Sequence, residues 1–150
     1  MGTRVHSRRR RQRGFTLIEA LCAMLIFGVG VLGIARLQAV AVQETSAAGY
    51  RSTAALLSKN LISRMWLSDR TPATLQANFT DLAPAGAGYT AWLTAVAAAG
   101  LPGTAANPPK VRFLPAINGG TAPVVTITIS WQAPGDGSVV HKFVETAQVR

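Results

Sequence analysis

Residues 13–36 read RGFTLIEALCAMLIFGVGVLGIAR, and the organisation of the whole chain turns on this stretch. A single acid, Glu19, stands at the head of a run that otherwise suits lipid. Ala20 to Ala35 is sixteen residues without a charge, and Arg36 closes it. With Phe15 to Glu19 included, the segment makes a helix about 32 Å long, matching a bilayer core of about 30 Å. A carboxylate at that depth costs on the order of a few kcal/mol unless something pairs with it.

Upstream lies an arginine cluster. Six of the fifteen basic residues precede Gly14: Arg4, Arg8, Arg9, Arg10, Arg11 and Arg13. The formal charge of +9 therefore sits mostly in a short leader, because from Phe15 onward nine basic residues face six acidic ones. Basic flanks of a membrane segment stay on the cytoplasmic side, which places the leader inside and the remainder outside. A nucleic-acid-binding arm is the alternative for the cluster. It lacks interleaved aromatics, and an apolar run follows it directly. The lone cysteine, Cys22, excludes an intramolecular disulfide and a cysteine-based zinc site, and reads as a small apolar packing residue.

Three fates suit such a segment. An ordinary signal peptide would be cut near Ala39-Val40-Ala41, of the A-x-A kind. An uncleaved anchor explains length and orientation but leaves Glu19 without a role. A leader cut between Gly14 and Phe15 at the cytoplasmic face leaves the apolar helix on the mature protein. It also creates an α-amine at Phe15, one helical turn and about 6 Å from Glu19. That amine, from the same chain or a neighbour, would compensate the carboxylate and set the register of bundled helices. Gly28, Gly30 and Gly33 either permit close helix approach or merely soften the helix, and they form no G-x-x-x-G dimer motif.

Gly14-Phe15-Thr16-Leu17-Ile18-Glu19, followed by an apolar helix, resembles the class III signal of type IV pilins and type II secretion pseudopilins. Residues 28–38, GVGVLGIARLQ, look most like the minor pilins of the PilV group. The resemblance covers roughly residues 8–40. It implies that a prepilin peptidase recognises Gly14, that Phe15 becomes the N-methylated first residue, and that Glu19 neutralises the amine of an adjacent subunit during assembly. Major pilins commonly carry a helix-breaking proline about where Arg36 stands, and often close a C-terminal loop with a disulfide. Both departures point to a minor pilin, with a pseudopilin similar to GspI as the second reading.

Downstream, the helix is expected to run on to about Ser68, some 80 Å in all if straight. Only Gly49 interrupts it as a weak former. Ala54, Leu57, Leu61, Ile62 and Met65 recur on one face, with Lys59 and Arg64 on a solvated side. Asp69-Arg70-Thr71-Pro72 ends it. Val124 to Trp131 alternates cleanly, with Val125, Ile127, Ile129 and Trp131 on one side, and predicts a strand. Pro134-Gly135-Asp136-Gly137 reads as a turn, Val139–Val149 as the returning strand, and Lys110–Leu114 as a third. Residues 71–109 are rich in Ala, Gly, Pro and Thr, with a short helix over Tyr89–Ala99 stopped by Gly100-Leu101-Pro102-Gly103. Trp92 is expected in the core. Gly119-Gly120 reads as a flexible connector and not a phosphate loop.

The expected fold is α+β: a long N-terminal helix, half transmembrane and half amphipathic, packed on three or four antiparallel strands. Its parts are a leader over 1–14, a membrane segment over 15–36 and a periplasmic globular part over 37–150. No catalytic motif, metal spacing or cofactor loop is present, so neither an enzyme nor a cofactor is expected. His141 and the scattered acids read as structural, with Asp69 at a helix end and Asp136 in a turn. The expected partners are the prepilin peptidase, other minor pilins, the major pilin, the inner-membrane assembly platform and lipid. The expected location is the inner membrane and then the fibre. A tip-located binding role, for DNA or a surface, would draw on Lys110, Arg112 and Lys142, though a mature charge of +3 is modest for phosphate contacts.

Overall fold

The computed structural model describes residues 15–114 and 123–149, and only the backbone of Phe15. The leader with Gly14, and the Gly119-Gly120 connector, lie outside the described residues. In order, the elements are α1 (Phe15–Leu67), α2 (Pro72–Phe79), α3 (Ala87–Ala98), β1 (Lys110–Leu114), β2 (Val124–Trp131) and β3 (His141–Gln148). The fold has two units, divided inside α1 between Glu44 and Thr45.

In the second unit α1 presents Ala54, Leu57, Leu61 and Met65 to the core, with Ile62 packed against it. This is the expected face, repeating at three and four residues. Lys59 is exposed, whereas Arg64 is half-buried and donates from Nε to Asn60 Oδ1 at 2.9 Å. Gly49 does not interrupt the helix. At its end, Ser68 Oγ donates to the Met65 carbonyl, and Asp69 Oδ1 accepts from the Thr71 backbone N–H at 2.9 Å and the Thr71 hydroxyl at 2.7 Å. The Thr71 backbone and side-chain hydrogen bonds hold the Asp69 carboxyl below the usual aspartate range.

Pro72 then starts a helix absent from the sequence-based reading. α2 is short, and its apolar signal is only Leu75 and Phe79, both buried one turn apart. Proline at the first helical position costs nothing, because its missing N–H had no intrahelical partner there. α3 begins two residues before the expected Tyr89 and ends at Ala98, with Ala99 as its cap and Gly100 following at a φ of 70° that suits glycine. α2 and α3 meet closely through glycines. A Cβ on Gly86 would lie 2.1 Å from the Asn78 backbone oxygen, and one on Gly88 would lie 2.6 Å from the Phe79 ring. Gly86→Ala is therefore expected to destabilise the fold by about 3 kcal/mol, since backbone cannot yield. Gly49→Ala, where an added Cβ meets nothing within 4 Å, should instead stabilise it by up to about 1 kcal/mol. Opposite shifts in the melting temperature of the full chain in detergent check both.

The sheet is antiparallel in the order β1-β2-β3. Ile127 lies opposite Val111 and Glu145, and Ile129 opposite Phe143. Val125, Ile127, Ile129 and Trp131 are all buried, as the alternation requires. β3 is shorter than expected, yet Val149 beyond its end is buried, with its N–H on the Pro123 carbonyl at 3.3 Å. The connecting turn places Gly135 and Gly137 at φ 97° and 60°. Trp92 is fully enclosed, as expected, and its indole N–H donates to the Leu57 carbonyl of α1 at 3.0 Å.

Tyr89, buried beside Trp92, donates its hydroxyl to the Pro109 carbonyl at 2.7 Å. Burial, with the negative charge of Asp81 adding to it, pushes the Tyr89 hydroxyl above the usual tyrosine value. The stability linked to it is fully present below the unfolded value of about 10 and is lost as pH rises through the higher folded value. Thermal melts between pH 9 and 12 should therefore fall more steeply for the native chain than for Tyr89→Phe.

Candidate functional site

α1 before Thr45 inverts ordinary folding logic. Apolar side chains belong inside, yet from Leu17 to Val42 the large ones are all exposed, with Met24 and Phe27 each 73 % accessible. They surround the helix and do not form one stripe. A helix apolar on every side needs cover on every side, from lipid or from other helices. α1 is long and apolar enough to cross a membrane, and none of its most apolar window is buried inside the protein. The three glycines expected to permit helix approach have open space around them: a Cβ on Gly28, Gly30 or Gly33 would meet nothing within 4 Å. Packing inside this chain does not require them. Cys22 is likewise exposed and free.

Glu19 is the one acid between Phe15 and Gln43, and it too is exposed on this helix. Phe15 opens α1 four residues earlier, so their positions stack one turn apart on the same face. α1 carries no acid in its first turn, which leaves Glu19 as the nearest negative charge to the positive end of the helix dipole. An amine at Phe15 would stand beside that carboxylate. Gly14 lies outside the described residues.

The other polar residues separate. His141 Nε2 and Asp136 Oδ2 are 2.7 Å apart across the β2–β3 turn, and the imidazole stacks on Trp131 with centroids 5.8 Å apart. Asp81, on the loop after α2, receives Arg112 of β1 at 2.5 Å. That pair spans 31 residues, and no local pattern announces it. The three cations of the tip-binding reading share the outward face of the sheet, by register: Lys110 opposite Thr128, Arg112 opposite Thr126, and Lys142 opposite Ser130. Arg112 is already engaged by Asp81. Among the described residues no three His, Cys, Asp or Glu side chains gather as metal ligands.

Comparison with known families matches residues 9–35 to the prokaryotic N-terminal methylation motif, a prepilin leader of the type IV pilin kind. No curated protein matches the chain. No solved structure matches it either. The matched residues include Gly14, Phe15 and Glu19. Together with the apolar helix they fit a membrane-anchored pilin-like or pseudopilin-like protein.

Proposed function

We propose that this chain is a minor pilin, closest in kind to the PilV group, that takes part in the assembly, priming or modification of a type IV pilus. One observation carries the reading: a methylation motif is laid over a helix whose large apolar side chains from Leu17 to Val42 are all exposed. In this scheme a prepilin peptidase cuts after Gly14, and Phe15 becomes an N-methylated amino terminus. The precursor sits in the inner membrane with its leader in the cytoplasm and its α+β part in the periplasm. The assembly platform then moves α1 from lipid into a bundle of like helices from the major pilin and other minor pilins. Dispersion and close packing favour the bundle, since lipid and helix surfaces are equally apolar. The Glu19 carboxylate meets the Phe15 amine of a neighbouring subunit and fixes the axial register.

Mass spectrometry of the mature N-terminus tests this. A chain starting at methylated Phe15 is expected. A chain starting at Val42 would make it an ordinary secreted protein. The second reading, a type II secretion pseudopilin similar to GspI, draws on the same motif and the same small α+β part. Deleting the gene separates the two, with loss of twitching expected for a pilus subunit and loss of exoprotein release for a pseudopilin. A DNA-binding tip role draws less support, because Asp81 already neutralises Arg112.

A further inference from the structure

Two buried side-chain oxygens lack a hydrogen-bond partner among the described residues: Ser58 Oγ and Glu145 Oε2. Ser58 is fully enclosed on the core side of α1, with no route for a ligand. Glu145 is different. It stands on β3, at the edge of the sheet, in register with Ile127 and therefore on the core-facing row with Phe143. The residue as a whole is half-buried, and of its two carboxylate oxygens only Oε2 is enclosed without a partner. An enclosed carboxylate oxygen without a partner is a place where an N–H donor from a cation can bond.

The strand that carries Glu145 is open on one side. β3 pairs with β2 over eight residues, and among the described residues no strand lies along its far edge. An open edge of that length is a template for another strand. Glu145 makes the template selective. An apolar strand added there would bury the charge unpaired, whereas one bearing a lysine or arginine would neutralise it. β1, at the opposite edge, has only Val111 and Phe113 on its core-facing row and carries no such discriminator.

We propose that the free edge of β3 receives an extended segment of a different protein, which adds as a fourth strand and sets a lysine or arginine against Glu145. Charge complementarity selects this occupant. Along β3 itself, Lys142 lies on the opposite face of the strand, and His141, on the same face as Glu145, is already bonded to Asp136 at 2.7 Å. A second copy is disfavoured for the same reason. Self-pairing about Phe143 would oppose Glu145 with a His141 ring that Asp136 and Trp131 already hold. This inference stands apart from the pilus reading and needs only the sheet.

The test uses the full chain in cells that make it, with a photoreactive residue replacing Lys142 or, separately, Thr146, both exposed on β3. The expected adduct joins β3 to an extended, lysine- or arginine-bearing segment of a second protein. Glu145→Gln keeps the shape and removes the charge. It should cut the adduct about thirtyfold or more, the loss typical when a buried charge pair forfeits one partner. The melting temperature of the Glu145→Gln chain in detergent should hold or rise, because an orphan charge has gone. Exchanging charges, Glu145→Lys against glutamate at the partner's basic position, should restore the adduct. The proposal is overturned by any of four results: no adduct from either position, adducts only to a second copy, adducts indifferent to Glu145→Gln, or a lowered melting temperature for that variant.

Discussion

Trp92→Ala is expected to lower the unfolding free energy of the α+β part by about 4 kcal/mol, a large share of the roughly 5–15 kcal/mol that such folds possess. Two losses combine. The indole is fully buried in the core cluster shared by the helices and the sheet, so its removal leaves a cavity that rigid neighbours fill only in part. Its N–H also finds its own buried partner in the Leu57 carbonyl of α1, as a second bond beside the helix bond that this oxygen already accepts. Trp92→Phe separates the terms: most of the volume stays, and the loss should shrink to about 2 kcal/mol, from one lost hydrogen bond and the remaining difference in ring size. Denaturant unfolding of the full chain in detergent, followed by the near-ultraviolet signal of the remaining tryptophans, measures both. A loss below about 1 kcal/mol for Trp92→Ala would mean that α3 is not anchored on α1.

Glu19→Ala is expected to leave cleavage and membrane level unchanged and to cut incorporation into filaments tenfold or more. The physical ground is the low dielectric around the helix. A carboxylate and an ammonium that meet there neutralise two charges, each costing a few kcal/mol alone, and about 1.4 kcal/mol already gives a factor of ten. Alanine removes one charge and strands the other on the neighbouring Phe15 amine. Glu19→Gln, which keeps the length and some hydrogen bonding, should recover part of the loss. Immunoblots of sheared filaments against membrane fractions read the ratio. Normal incorporation of Glu19→Ala would end the pairing argument, and a failure of cleavage would move the role of Glu19 to peptidase recognition.

Much of this protein is legible in one dimension because its signals are local. The apolar run, the arginines before it and the single acid inside it are contiguous, so the membrane helix and its candidate site can be read directly. β2 alternates over its whole length, and β1 begins and ends where Lys110 and Leu114 were expected. α2 escaped because eight residues with two apolar positions give too short a period, in a stretch whose Ala, Gly, Pro and Thr suggest loop. Gly86 and Gly88 fall in that same stretch, and each is required because another segment lies against it. The Arg112–Asp81 pair and the acceptor for Trp92 are products of packing, with no spacing rule to find them.

The amino-acid sequence alone determined which helix is apolar on every side, that a methylation motif heads it, and which strands turn an apolar side inward. These follow from charge and hydropathy along the chain, which need no partner to be expressed. Tertiary structure alone decided that, among the described residues, Glu145 faces the core row unpaired and β3 ends the sheet, and that His141 and Arg112 are already engaged. A strand does not encode whether its neighbour is present. Only the closed fold shows which strand stands at an edge and which charge, among the described residues, has no partner.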